Sequence, residues 1–196
     1  MPDIEDYHIK FKEYLSELCA ISEHSWSELK PLLKTKAADK NQCIVKENQK
    51  FSSELFLVSG IVRLYYLGME GEEINIAFYK GAATLPPLFT RSINNKHSCY
   101  IETLTDAVYL EFDNSKFSQL IETKKDIQQF AYHVVEKELR YKIEREKLYL
   151  SQNAQKRLLS FRKRYKGLEN EIPHYHIASY LGISPVSLSR LRKQVK

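Results

Sequence analysis

The apolar residues of this chain change period along its length, and each change marks a change of element. Tyr7, Phe11, Tyr14, Leu15 and Leu18 recur at helical spacing, which predicts an amphipathic helix over Tyr7 to Leu18. A second helix is expected from about Ser25 to Leu33, with Ser25 as its cap and Glu28 three residues on. From Lys36 to Phe112 the texture changes. The runs Leu55 to Val58, Ile61 to Leu67, Ile74 to Phe78 and Ala107 to Phe112 alternate with turn residues at Gly60, Gly68, Gly71 and Gly81. This is the spacing of a small antiparallel sandwich or barrel. Within Ile61 to Leu67, Val62, Leu64 and Tyr66 share one face, and Arg63 and Tyr65 the other.

From Asp126 to about Leu150 neither proline nor glycine interrupts a long helical stripe of Ile127, Phe130, Ala131, Val134, Val135, Leu139, Ile143 and Leu148. Part of that stripe is expected to pack on the sheet and the remainder to meet a second copy in a parallel dimer. The alternative is a helix that only covers its own domain's core. Ser151-Gln152-Asn153 reads as a hinge into a further helix, Ala154 to about Lys166, whose Leu158, Leu159 and Phe161 supply the core of a small C-terminal domain.

The last two dozen residues, Ile172 to Lys196, carry the most constrained pattern. Ile177, Leu181, Ile183, Leu188 and Leu191 fall where two short crossing helices bury side chains against each other. Ala178 sits at the close crossing, Gly182 at a turn that needs positive φ, and Ser184-Pro185 start the second helix as cap and first residue. An ordinary helical hairpin shares the apolar spacing but does not require Ala, Gly and Ser-Pro together. The pattern predicts a DNA-binding helix-turn-helix.

Charge points the same way. From Ser151 to Lys196 there are ten basic residues against Glu169 and Glu171, a net +8; the whole chain is +5, which leaves −3 for residues 1–150. A basic tail on a mildly acidic body suits a protein that meets phosphates at one end, because counterion release rewards local charge. Any single Lys or Arg there can equally be a solvated helix face.

Composition excludes several other classes. No run of eighteen apolar residues exists, and Met1-Pro2-Asp3-Ile4-Glu5-Asp6 lacks the features of a signal peptide, so a cytoplasmic protein without membrane contact is expected. Cys19, Cys43 and Cys99 are odd in number and far apart, which suggests buried thiols rather than a disulfide framework, zinc or iron-sulfur site. His174 and His176 are too close in sequence to share a helical face and read as surface or capping residues. No catalytic Ser-His-Asp set or phosphate-cradling glycine loop stands out, so no enzyme, metal or cofactor is expected.

A β-sandwich, a long helix and a C-terminal helix-turn-helix, in that order, resemble the Crp/Fnr family of the cyclic-AMP receptor protein and the fumarate-nitrate regulator. The local carriers are Leu55-Phe56-Leu57-Val58-Ser59-Gly60-Ile61-Val62-Arg63-Leu64-Tyr65, similar to the family's strand-Gly-strand hairpin, and the stretch from Ile177 to Arg190. The resemblance implies an α+β chain with an effector domain over residues 1–125, a jelly roll of the cyclic-nucleotide-binding type. A dimerisation helix over 126–150 and a helix-turn-helix domain over 151–196, winged-helix-like without an evident wing, would follow. It implies double-stranded DNA and a second copy as partners, with a small-molecule effector and RNA polymerase as further ones.

The family's base-reading positions fall at Pro185, Val186 and Arg190. Arg190 can take guanine O6 and N7, whereas Val186 stands where relatives place an acidic residue and can only touch a thymine methyl. Ser184, Ser187 and Ser189 add hydroxyls, and Arg192 and Lys193 position on the backbone. Family members that bind cyclic nucleotides use a Gly-Glu pair for the ribose and an Arg-Ser or Arg-Thr pair for the phosphate. The matching stretch here, Lys80 to Phe89, has no carboxylate, and the later pair is His97-Ser98. A neutral imidazole does not replace a guanidinium, so cyclic AMP is not the expected effector. The pocket around Thr84, Leu85, His97 and Ser98 either takes another small molecule or is filled by side chains. The competing reading is a ligand-sensing or partner-binding sandwich protein with a merely solvated basic tail.

Overall fold

The computed structural model describes residues 4–94 and 96–195, so Met1-Pro2-Asp3, Asn95 and Lys196 lie outside the described residues. By contact density the chain forms two compact units. The first runs up to Val62 and adds Tyr79–Glu138; the second combines Arg63–Phe78 with the residues from Leu139 onward.

The first unit opens with helix α1, Ile4–Leu18, whose Phe11, Tyr14 and Leu15 are buried at the predicted positions. Helix α2, Glu23–Leu29, begins earlier than expected. Its cap is Ser22, whose hydroxyl accepts from the Ser25 amide at 3.1 Å, and Ser25 lies inside the helix. A single 3₁₀ turn, Lys30–Leu32, then leads to strand β1, Lys34–Ala38. The strands that follow are β2 (Cys43–Val45), β3 (Ser53–Ser59), β4 (Ile61–Leu67), β5 (Glu73–Lys80), β6 (Ala83–Thr84), β7 (Ser92–Ile93), β8 (Lys96–His97), β9 (Tyr100–Thr103) and β10 (Ala107–Asp113).

One sheet has the order β1-β10-β3-β6, all antiparallel, and sets Leu110 opposite Phe56. The other has the order β2-β9-β4-β5. The expected sandwich is therefore present. Its β3–β4 corner depends on Gly60, which sits at φ +96°; a Cβ there would lie 2.5 Å from the Asp106 carbonyl oxygen.

The core of this unit gathers Phe11, Phe56, Phe112 and Phe130 from helix and sheet, with ring centroids 4.5, 5.9 and 6.3 Å from Phe11. Burying four such rings supplies much of the apolar driving force, at about 25 cal/mol per Å² removed from water. Helix α3, Asn114–Thr123, was not legible in the apolar spacing; Asp113 caps it by accepting from the Lys116 amide at 3.0 Å.

Helix α4 runs from Lys125 to Ser151 without a break. Its Ile127, Phe130 and Val134 are buried, whereas Leu139 and Ile143, further along the stripe, are each 57% exposed. In the second unit, α5 (Ala154–Arg164) starts at an Asn153 cap. A 3₁₀ turn, Leu168–Asn170, precedes α6 (His174–Leu181) and α7 (Pro185–Gln194). Leu158 and Phe161 enter the core as expected, whereas Leu159 is 47% exposed, because it falls on the far side of α5. Phe78 of β5 completes this core, 6.1 Å from Phe161 and 5.5 Å from Tyr180 between ring centroids.

Candidate functional site

Helices α6 and α7 have the geometry the sequence required. Gly182 ends α6 at φ 64°, ψ 40°, and the next amide, of Ile183, reaches back to the Ala178 carbonyl at 3.1 Å. Ser184 is extended and caps α7, accepting from the Ser187 amide at 3.1 Å, with Pro185 at the first helical position. Ile177, Ala178, Leu181 and Leu188 are buried between the two helices, which fixes the outward face of α7. On that face Val186, Ser189, Arg190 and Lys193 are exposed.

The remaining residues named from the sequence divide by what they touch. The hydroxyls of Ser184 and Ser187 lie 2.9 Å apart and serve the cap. Arg192 donates to Glu169 at 2.6 Å and lies 3.2 Å from His174 Nδ1. Glu169 also takes both Arg162 Nε and Nη2, at 2.6 and 3.1 Å. These two guanidiniums hold its carboxyl below the usual carboxylate range. Arg192 thus ties α7 to the turn ahead of α6, while Arg190 and Lys193 point their charge outward.

His176 is the clearest departure from expectation. It is buried, not a surface or capping residue, because the hairpin of β4 and β5 brings polar groups to meet it. Arg63 donates to His176 Nδ1 at 3.1 Å and to Asn75 Oδ1 at 3.3 Å, pairs with Glu73 at 2.6 Å, and lies over the Tyr65 ring. The Asn75 amide donates to Ser179 Oγ, which donates to the Glu73 carbonyl at 2.6 Å. Burial, and then the Arg63 charge, lowers the His176 pKa to about 4, so the ring is a neutral acceptor. Beside this network the hydroxyl of Tyr141 meets those of Tyr165 and Tyr180 at 3.1 and 2.9 Å. Sequence reading missed these partners; a single Arg or Asn inside an apolar strand was the available signal.

In the first unit the expected effector residues separate into two places. Thr84 and Leu85 line a cavity of about 110 Å³ between the sheet and α3 and α4, walled by Phe112, Phe117, Phe130 and Val134. Thr84 Oγ1 is 3.2 Å from the Tyr14 hydroxyl. His97 lies elsewhere, 1% exposed, with its Nε2 on Arg91 and its Nδ1 donating to the Cys99 carbonyl at 3.4 Å. Arg91 is itself buried and donates to the carbonyls of Pro86 at 2.7 Å and Ser53 at 2.9 Å. It also pairs with Glu54, whose carboxylate accepts the Leu88 amide at 3.0 Å. Ser98 joins through its amide, which donates to the Arg91 carbonyl at 2.9 Å. Burial, followed by the Arg91 charge, lowers His97 to about 4. The cation at this site comes from a neighbouring loop and is already neutralised by Glu54.

Comparison with known proteins agrees with this geometry. Residues 35–124 match the family model of the cyclic nucleotide-binding domain. The fold is similar to that of several solved structures. FixK2 from Bradyrhizobium japonicum superposes with a TM-score of 0.72 at 19% identity, over 83% of each chain. A CooA mutant from Carboxydothermus hydrogenoformans gives 0.69 at 16% identity, over 85% of this chain and 77% of that one. A Crp/Fnr-family protein from Eubacterium rectale gives 0.68 at 19% identity, over 89% and 83%. A search of curated proteins returns no match. Among the described residues no helix is long and apolar enough to cross a membrane.

Proposed function

We propose that this chain is a sequence-specific DNA-binding transcription regulator that acts as a homodimer on an inverted repeat. The observation that carries the reading is α7 itself: a capped helix anchored by Leu188, with Val186, Ser189, Arg190 and Lys193 displayed on its outer side. Paired recognition helices enter successive major grooves about 34 Å apart. In this reading residues 1–125 sense, 126–150 pair and relay, and 151–196 bind DNA.

Dimerisation has its own support on α4. Tyr132, Leu139, Ile143 and Leu150 are all exposed and follow one another at seven, four and seven residues, the spacing of a coiled-coil seam. In this reading the sensor does not take a cyclic nucleotide. The resemblance puts His97 where family members that bind cyclic nucleotides carry the phosphate-binding guanidinium, and His97 is bonded to Arg91, which pairs with Glu54. An effector, if small and apolar, has the Thr84–Leu85 cavity available.

Selection of genomic fragments with the purified chain at about physiological salt tests the proposal. The expected outcome is recovery of a palindromic motif. Retention without any shared motif, with and without cell extract as a source of effector, would refute specific binding.

A further inference from the structure

The second unit contains a cleft unrelated to the face that carries Arg190. It has a volume of about 630 Å³ and lies between the last turns of α4, the length of α5 and Tyr180 of α6. Its charged lining is one-sided: Arg145, Lys147, Lys156, Lys163 and Arg164 against the single carboxylate of Glu144. Among the described residues Lys147, Lys156 and Lys163 make no ion pair, and all three are exposed. The guanidiniums are held by rings rather than by acids. Arg164 lies 3.5 Å from the centre of the Tyr141 ring, and Arg145 lies 4.5 Å from Tyr149 and 5.1 Å from Tyr180. Arg145 Nε is buried without a hydrogen-bond partner among the described residues.

Five cations that converge on one cavity repel each other, and the single Glu144 carboxylate offsets only part of the repulsion; a bound anion would offset the rest. Arg145 Nη2 donates to the Tyr149 hydroxyl at 3.4 Å, while a guanidinium stacked on rings can still donate from its other N–H groups to phosphate oxygens. The hydroxyls of Ser151 and Ser160 and the Gln152 amide add neutral donors. The volume is that of a nucleotide-sized ligand, and no α7 residue lines it. At 3.6 residues per turn, Tyr141, Arg145 and Leu148 lie on the side of α4 opposite Leu139, Ile143 and Leu150, so a coiled-coil seam leaves the cleft open.

We infer that this cleft is a binding site for a small, multiply phosphorylated anion. A ligand there ties the end of α4 to α5 across the junction at Gln152 and Asn153. Its effect on DNA rests on the DNA-binding reading, whereas the site itself does not.

Calorimetric titration of the full chain with inorganic tripolyphosphate, without DNA and at about physiological ionic strength, tests the site. Saturable binding of one ligand per protomer is expected. Lys156→Ala with Lys163→Ala should weaken it about tenfold or more, with the ligand-free melting curve unchanged because both side chains are exposed. Lys34→Ala with Lys36→Ala, a charge-matched pair on β1, and Arg190→Ala should leave it unchanged. The inference is overturned by absent or unsaturable binding, or by equal loss in the two lysine pairs, which would show bulk charge alone. It is also overturned if the α5 pair lowers affinity for duplex DNA while tripolyphosphate binding is untouched, which would assign the lysines to the DNA backbone. Failure of the DNA-binding reading shows separately, as loss of duplex binding in every variant.

Discussion

At the scale of single residues, most of the chemistry is decided by whether a polar side chain has an internal partner. Arg190 presents its guanidinium outward, while Arg192, two residues away, is spent on Glu169. Arg192→Ala should therefore destabilise the second unit by about 1–3 kcal/mol, read as a lower melting temperature, as expected when a charge-assisted hydrogen bond is lost. His176 and His97 set a second expectation. Both rings have a folded pKa of about 4 against 6.5 when unfolded. Between those values the unfolded chain takes up protons that the folded chain refuses. Their contribution is complete above about pH 6.5 and declines as pH falls toward 4, by roughly 3 kcal/mol from each ring. Thermal melts across this range should show the decline, and His176→Gln should make it shallower; a flat profile would contradict the buried neutral rings.

At the scale of elements, what the sequence revealed and what it hid have one cause. Periodicity reports which residues of one segment face the same way, so α1, β4 and α7 could be placed within a few residues. It says nothing about partners distant in sequence. Ser22 caps α2 in place of the expected Ser25, because Asp126, 104 residues away, takes the Ser22 amide at 2.9 Å and the Ser25 hydroxyl at 2.7 Å. The Arg63–His176 contact spans 113 residues, and neither side chain alone announces the other. The motif of α6 and α7 was fully legible because its constraints are local: a positive φ at Gly182, a cap at Ser184 and a close crossing at Ala178.

Helix α4 carries the element-level predictions. Leu139→Glu or Ile143→Glu places a charge on an exposed seam without disturbing the buried Ile127, Phe130 and Val134. Each should convert a dimer to a monomer by light scattering while the melting transition persists; an unchanged mass would show that the seam lies elsewhere. Asp126 accepts from Ser22, Ser25 and the Ile127 amide, and although burial opposes it these bonds lower its pKa to about 2. Asp126→Ala should cost roughly 1–3 kcal/mol of stability at neutral pH. That contribution should fade in the wild type as pH falls from about 3.8 toward 2.

At the scale of the whole molecule, the fold is similar to that of solved regulators, including one of the Crp/Fnr family, and the polar groups around His97 pair with one another. Arg91, Glu54 and His97 satisfy one another inside the first unit, so the Arg91 guanidinium is already bonded. Cyclic AMP should consequently leave the melting temperature unchanged even at millimolar concentration. The central claim concerns α7, and it is tested most directly by titrating the recovered palindrome and a scrambled duplex with wild-type, Arg190→Ala and Lys193→Ala protein over a range of salt. Wild-type affinity should fall steeply with salt. Arg190→Ala should lose about 1–3 kcal/mol on the palindrome alone, while Lys193→Ala should weaken both duplexes alike and flatten the salt slope by about one. Equal losses on both duplexes from both substitutions, or an affinity indifferent to salt, would contradict a recognition helix at Pro185–Gln194.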